Sequence, residues 1–290
     1  MIKKILSKIR NYEIRMRKAV NAHLRGSFHS VFKGAGLEFE DVRMYQYGDD
    51  VRRIDWNVSA KGEGTFVKVF KEEKEQTVFF LLDVSRSQEL GKETQTKIDI
   101  GKEICGVLAL AAAKEQSQVG LICFSDQKEK YIKPDKGVKK AYEIILNLLK
   151  LKPKSSQTNL TTFIQYALNL IKRRSIVILI SDFIDQNYHD ALRAMARKHD
   201  LIVIHLIDAT EMQMPKMGIV PLFDKESQKV IWVNSSSEAF QQALKQRIEA
   251  NCKELETFCR KNKVNYLAIY THEDFVPKLV RLFKIRNREA

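Results

Sequence analysis

The chain has 290 residues, of which 44% are hydrophobic and 30% are charged, enough for one large folded domain and a smaller module. No apolar run approaches the roughly 18–20 residues that span a bilayer, and the start of the chain lacks the apolar core of a secretory signal. The formal net charge of +14 permits nucleic acid, anionic lipid or acidic protein partners.

Residues 1–24 repeat apolar side chains every three or four positions, which predicts a helix with a basic polar face. Such a helix packs either on the body of the protein, the interpretation we favour, or on an anionic membrane surface. The stretch 278–290 is also basic. Aromatic residues do not alternate with these basic ones as on a base-stacking surface, so nucleic acid is not an expected partner.

Residues 25–75 contain six glycines and short alternating or aromatic segments, including Arg53–Trp56, which predict a small antiparallel β module. Gly-Asp-Asp forms a turn there, since glycine tolerates positive φ and aspartate bonds its own backbone. The three nearby aspartates either hold a metal or, as we favour, pair with the two arginines, while the tryptophan anchors the core of the module. The residues concerned are Arg43, Tyr45, Gly48, Asp49, Asp50, Arg52, Asp55 and Trp56.

The run 77–82 is unbroken and apolar or β-branched, which predicts a strand buried on both faces. It stops being apolar at Asp83, the first residue of an Asp-x-Ser-x-Ser sequence with Ser85 and Ser87. One carboxylate and two hydroxyls at alternate positions of a loop can converge on one point. Hard oxygen donors at the carboxyl end of a parallel strand suit Mg²⁺ or Mn²⁺.

Two later segments add oxygen donors. Thr158 lies in a polar loop between two helical patterns, and Asp182 ends a second buried strand that starts at Ser175. These two residues complete a three-loop metal site with the Asp-x-Ser-x-Ser sequence. In the competing interpretation, the aspartates only cap the helices that follow their strands.

From residue 76 onwards, strands alternate with helices, which predicts an α/β fold with a doubly wound, mostly parallel sheet covered by helices on both faces. A short edge strand is expected at 130–133 and a hairpin at 219–223 and 229–233. We therefore divide the chain into 1–75, the basic helix and β module, and 76–290, the α/β domain. A phosphate-binding glycine loop does not occur in the sequence, so an ATPase or dehydrogenase is not indicated.

The five residues of the three-loop site resemble the metal-ion-dependent adhesion site (MIDAS) of von Willebrand factor A domains. That resemblance implies that Ser85, Ser87 and Thr158 touch the cation, and that Asp83 and Asp182 hold it mostly through water. The cation implied is Mg²⁺, with Mn²⁺ or Ca²⁺ as alternatives, and the sixth position is left for an Asp or Glu of a partner protein.

The stretch Gly48-Asp-Asp-x-Arg-x-Ile-Asp-Trp56, ahead of Asp-x-Ser-x-Ser, resembles one bacterial family, the domain-of-unknown-function family number fifty-eight, encoded beside MoxR-type AAA+ ATPases. The likeness covers residues 25–270. It implies a von Willebrand factor A-like domain and a working link to such an ATPase, in a soluble, compact version of the family. The lack of a spanning run and of a secretory signal predicts a cytoplasmic protein, and the basic ends leave open a place at the periphery of the inner membrane.

These observations favour a metal-dependent protein-interaction module that acts as adaptor or substrate of a MoxR-type ATPase. Because the sequence shows no catalytic constellation, we do not expect an enzyme. The alternatives are a metal-assisted hydrolase, which would activate water on Mg²⁺, and a peripheral membrane protein that uses its basic ends.

Overall fold

The computed structural model describes residues 37–62, 64–72, 76–89, 91–92, 95–153, 155, 157–185, 187–208, 211, 214–224 and 229–289, together with Ser7, Arg10 and Ile14. These last three residues are helical, and the rest of the helix predicted over 1–24 lies outside the described residues. The boundary predicted between residues 75 and 76 stays a prediction.

A six-stranded sheet forms the centre of the α/β domain, in the order β12-β9-β8-β3-β6-β7. Neighbouring strands are parallel, except that β7 runs antiparallel to β6. The doubly wound, mostly parallel sheet predicted from the sequence is therefore confirmed. Its strands are β3 (Thr77–Asp83), β6 (Gln118–Phe124), β7 (Lys128–Asp135), β8 (Ile176–Ser181), β9 (Asp200–Ile207) and β12 (Asn265–Tyr270).

Helices cover both faces of this sheet because the central strands are apolar on both sides. The helices are α2 (Lys97–Lys114), α3 (Val138–Lys150), α4 (Leu160–Leu170), α5 (His189–Lys198), α6 (Glu238–Lys261) and α7 (Phe275–Glu289). In β3, Phe80 packs in the core on one face with α2, α3 and α7, and Phe79 packs on the other face with α4, α5 and α6.

Helix α2 crosses the sheet at close range. A Cβ atom on Gly101 would lie 2.8 Å from Leu82 Cδ1 and 3.3 Å from Leu206 Cδ1, so a larger residue there would require these leucine side chains to shift. The start of α2 is capped by Thr96, whose side chain accepts a hydrogen bond from the Asp99 N–H. Both features fix the position of Lys97, the first residue of α2, at the end of the sheet.

The predicted β module is present as two antiparallel strands, β1 (Leu37–Met44) and β2 (Phe66–Glu72). The strand-like segment expected at 53–56 is wrong. Residues 51–53 form a 3-10 helix, Ile54 makes one isolated bridge to Val67, and α1 (Trp56–Ser59) follows. Asp50 and Asp55 cap these two helical turns through their side chains, which overrides the alternating pattern.

Two hairpins lie outside the central sheet, and β7 forms one edge of that sheet. The predicted hairpin is confirmed as β10 (Ile219–Asp224) and β11 (Lys229–Asn234), and its side chains at Ile219 and Trp232 are exposed. A two-residue hairpin, β4 (Gly91–Lys92) and β5 (Gln95–Thr96), precedes α2. The predicted edge strand is confirmed as β7, which contains Pro134 and lines the outer edge of the sheet with lysines.

Two observations bear on a membrane role. Among the helices that the structure describes, none is long and apolar enough to cross a bilayer. In the basic stretch at the end of the chain, Lys278 pairs with Glu273, and Arg286 pairs with Asp200. Two of its cations are therefore engaged inside the fold.

We expect His199 to make the fold less stable in mild acid. The ring is 3% exposed, and neither ring nitrogen has a hydrogen-bond partner among the described residues. Burial, with a contribution from Lys198, lowers the pKa of His199 from 6.5 to about 4. Because the unfolded chain binds this proton between pH 6.5 and 4 and the folded protein does not, the free energy of unfolding falls as the pH falls through that window.

The substitution His199→Phe removes this proton uptake and should stabilise the protein at pH 5, relative to pH 7.5, by up to about 2 kcal/mol. Urea unfolding at the two pH values measures the effect. The exposed His272→Phe serves as the control. An identical pH dependence in wild type and His199→Phe would show that the ring is not the proton acceptor.

Candidate functional site

The carboxyl ends of the parallel strands form one rim of the sheet, and it carries buried acids. Asp83 is the last residue of β3, and Asp182 follows the last residue of the neighbouring strand β8. Both are buried, with exposed fractions of 1% and 3%. The rim is where open α/β sheets bind ligands, because loops diverge there above the strand ends.

Asp83 fixes the loop that follows β3. Its Oδ1 accepts a hydrogen bond from the Ser85 N–H at 2.9 Å, and its Oδ2 accepts from Ser181 Oγ at 2.7 Å and more weakly from Gln88 Nε2 at 3.4 Å. The carboxylate therefore ties its own loop to the end of β8. Burial and the charge of Asp182 raise the pKa of Asp83 to about 6.

The two hydroxyls of the Asp-x-Ser-x-Ser sequence lie side by side. Ser85 Oγ and Ser87 Oγ are 3.0 Å apart, with Ser85 buried and Ser87 half-buried. Adjacent oxygen ligands of an octahedral Mg²⁺, each about 2.1 Å from the metal, are about 3 Å apart, whereas those of Ca²⁺ are wider. The two hydroxyls are hydrogen-bonded to each other, and the same spacing would let both bind one octahedral Mg²⁺ with little movement.

A buried lysine reaches the same rim. Lys97 Nζ lies 2.6 Å from Asp182 Oδ2, and it also donates to Glu211 Oε1. The side chain of Lys97 is fully buried. Burial lowers the pKa of Lys97, but the charges and hydrogen bonds of the two carboxylates outweigh it and hold that pKa above its ordinary value.

The charges at this rim do not balance. Asp182 and Glu211 share the ammonium of Lys97, whereas Asp83, buried beside Asp182, has no cationic partner among the described residues. When all three carboxylates are ionised, two negative charges remain. Together with the hydroxyl pair, this donor set fits a divalent cation.

Carboxylates alone do not form the site. Within the described residues, no group of three or more His, Cys, Asp and Glu side chains is placed to hold a metal ion. A cation at this rim would therefore depend on hydroxyl oxygens, as the sequence predicts for Ser85, Ser87 and Thr158.

Thr158 lies in the loop that leads into α4, whose first residue is bonded to the loop after β8. Leu160, two positions later, donates its N–H to Asp185 Oδ2 at 2.6 Å, and Asp185 belongs to the loop that follows Asp182. In the part of the chain that the structure describes, no hydrogen bond joins Thr158 to Asp83, Ser85, Ser87 or Asp182.

Sequence reasoning missed Lys97 and Glu211. They lie 85 residues before and 29 residues after Asp182, so no local pattern links them. One signal was present, however. A lysine in the first turn of a helix opposes the helix dipole, and that unfavourable placement indicates a specific partner.

His205, which the sequence places inside an apolar strand, is a core residue and not a free ligand. Its Nδ1 is 2.9 Å from the Tyr266 hydroxyl. Burial lowers the pKa of His205 to about 4, so the ring is neutral near pH 7.

The Gly-Asp-Asp turn is built on one ion pair. Arg43 contacts both carboxylate oxygens of Asp49, at 2.8 and 2.6 Å, and the Gln46 N–H also donates to Asp49. The hydrogen bond from Arg43 lowers the pKa of Asp49 the most, and the bond from the Gln46 N–H lowers it further. Gly48 has a φ of +104°, which favours glycine, and Tyr45 donates its N–H to Thr65 O.

The other acids of this turn serve the backbone. Asp50 accepts from the Arg52 N–H, and Asp55 accepts from the N–H groups of Asn57 and Val58. Lys68 Nζ lies 3.4 Å from Asp55 Oδ2. The prediction that the two arginines pair with the three aspartates is therefore right for Arg43 and wrong for Arg52, whose side chain forms no ion pair among the described residues.

Trp56 does not anchor the core as predicted, since 70% of it is exposed. It is the first residue of α1, and the capping bonds of Asp55 set the direction of that helix. Tyr47 and Met44 are exposed nearby. The aromatic ring of Trp56 therefore did not predict burial, because the Asp55 cap sets the chain direction at this point.

The strand order of the central sheet defines the fold class of this protein. Its sheet, with the first strand of the domain at the centre and one antiparallel edge strand, has von Willebrand factor A-like topology. The chain belongs to the family described as protein of unknown function DUF58, which matches residues 41–254.

Mycobacterial proteins are among the relatives. The uncharacterized protein Rv1480 of Mycobacterium tuberculosis is 23% identical over 290 residues, covering 99% of this chain and 91% of that protein. The uncharacterized protein MAV169 of Mycobacterium avium is 26% identical over 120 residues, covering 41% of this chain and 70% of that protein.

Solved structures align with modest scores. BatB from Bacteroides thetaiotaomicron is 15% identical with a TM-score of 0.45, covering 74% of this chain and 100% of that chain. The SpRpn10 VWA domain is 11% identical with a TM-score of 0.39, covering 71% of this chain and 94% of that chain. The assignment of the fold rests on the strand order and not on these alignments.

We expect Asp49→Ala to loosen the turn, because it removes the bidentate partner of Arg43 and the acceptor for the Gln46 N–H. Chymotrypsin should then cleave after the exposed Tyr47 several-fold faster. The control is Arg52→Ala, which leaves the ion pair intact. Equal cleavage rates in the two variants would show that the ion pair does not hold the turn.

Proposed function

We propose that this protein is a metal-dependent protein-interaction module. A divalent cation, Mg²⁺ by preference, would bind at the rim to the hydroxyls of Ser85, Ser87 and Thr158. Asp83 and Asp182 would hold it through water, and an Asp or Glu of a partner protein would complete the cation's shell. The observation that carries the proposal is the hydrogen-bonded hydroxyl pair, 3.0 Å apart, next to the buried Asp83, which has no cationic partner among the described residues.

The chain's own residues prepare this rim before any partner arrives. Asp83 orients the serine loop through the Ser85 N–H, and its link to Ser181 keeps that loop above β8. When bound, the cation would supply a localised positive charge to which a partner carboxylate adds. Because such a bond is short and charge-assisted, partner affinity should depend steeply on the metal.

The partner class that we propose is a MoxR-type AAA+ ATPase, with this protein as its adaptor or substrate. The support is the Gly-Asp-Asp-x-Arg-x-Ile-Asp-Trp stretch and its resemblance to the family encoded beside such ATPases. The turn formed by that stretch leaves Tyr47 and Trp56 exposed, so it offers aromatic contact area in addition to the rim.

Thr158→Ala gives a clean test of the metal site. Because no hydrogen bond of Thr158 to the other site residues is present in the described structure, its removal should leave the metal-free protein unchanged. We expect Thr158→Ala to weaken Mg²⁺ binding about tenfold, the usual effect of losing one oxygen ligand or its support. Isothermal titration calorimetry of the full chain with Mg²⁺ measures this.

The control is Thr162→Ala, which removes an exposed hydroxyl one helical turn away. Equal Mg²⁺ affinity in the two variants would remove Thr158 from the site. In a second assay, the immobilised protein should retain the MoxR-type ATPase in Mg²⁺ and release it in EDTA. Retention that is independent of the metal would contradict the proposed mechanism.

A further inference from the structure

We infer that Lys97 is the resident cation of the rim: its ammonium neutralises Asp182 in the metal-free protein and competes with Mg²⁺ for that carboxylate. The inference rests on the proposed function and deepens it, because it names what sets the metal affinity of the site. The observation behind it is the fully buried Lys97 Nζ, 2.6 Å from Asp182 Oδ2, at a rim that also holds the hydroxyl pair.

Lys97 cannot leave the rim with its helix. The close packing at Gly101, one turn later on the same face of α2, holds the helix near Leu82. The Thr96 cap fixes the first turn. An exchange between lysine and metal therefore has to occur by movement of the lysine side chain alone.

Glu211 provides the place to which the ammonium can withdraw. It accepts from Lys97 Nζ through Oε1, while its Oε2 accepts from the Asp208 N–H at 3.1 Å. This second bond holds Glu211 at the end of β9, on the side of β8 away from β3. Lys97 can thus release Asp182 and keep a carboxylate partner, so the displaced charge is never left buried and unpaired.

The exchange would also favour divalent over monovalent ions. With Lys97 held by Glu211, the charges of Asp83 and Asp182 remain for the incoming cation. A monovalent ion would leave one of these buried charges uncompensated. The lysine therefore makes the rim selective, since weakly bound cations cannot displace it.

Lys97→Met should raise Mg²⁺ affinity at least tenfold, because it removes a positive charge in direct contact with Asp182. The measurement is calorimetric titration of the full chain with Mg²⁺ alone. The control Lys114→Met removes one positive charge from the exposed far end of the same helix, about 25 Å away, and should bind as wild type does.

The outcomes separate the two proposals. Equal affinity of wild type and Lys97→Met overturns the inference and leaves the metal-dependent module standing. Binding by Lys97→Met alone supports Lys97 as resident cation and overturns the proposed function of the natural protein. Binding by neither overturns both.

A second measurement avoids the risk that Lys97→Met does not fold. In the wild-type protein labelled with ¹³C-lysine, added Mg²⁺ should shift the Cε resonance of Lys97, assigned by its loss in Lys97→Arg, and leave Lys114 unmoved. Mg²⁺ binding without any shift of Lys97 overturns the inference.

Discussion

The buried contact of Lys97 with Asp182 and Glu211 is the interaction on which the arrangement of the rim depends. It joins the start of α2, the end of β8 and the segment after β9. Carboxylates gathered at the ends of parallel strands repel one another in a medium of low dielectric constant, and a single ammonium among them offsets much of that repulsion. Removing one partner of such a buried pair typically destabilises a protein by about 3–5 kcal/mol. The contact therefore contributes to the stability of the fold as well as to the charge of the rim.

Much of the fold could be predicted from the sequence, because strands buried on both faces leave unbroken apolar runs. Residues 77–82 and 176–180 are such runs, and the acids that follow them, Asp83 directly and Asp182 after Ser181, do lie on one rim. The route of residues 51–59 could not be predicted, because the Asp50 and Asp55 caps outweigh the alternating pattern there. Lys97 was missed for another reason, since its partners are distant in sequence and only the folded chain unites them.

Two groups of acids in this protein behave differently, and the difference separates structure from binding. In the Gly-Asp-Asp turn, each aspartate is satisfied by groups close in sequence or on the facing strand: Asp49 by Arg43, Asp50 by a backbone N–H, and Asp55 by backbone N–H groups and Lys68. At the rim, Asp83 has only neutral hydrogen-bond donors and the pKa raised to about 6 that follows from burial beside Asp182. The charge of Asp83 is therefore not matched by a cation among the described residues, and the proposed cation site rests on this difference rather than on the number of acids.

The edge strand β7 has an effect on assembly. Its free side carries Pro134, which has no N–H to donate, and it is flanked by lysines at 128, 130, 133 and 136. A second copy that added a strand there would meet a missing donor and several lysines, although Glu129 and Asp135 lie among them. This edge is therefore a poor place for the sheet to continue into another molecule.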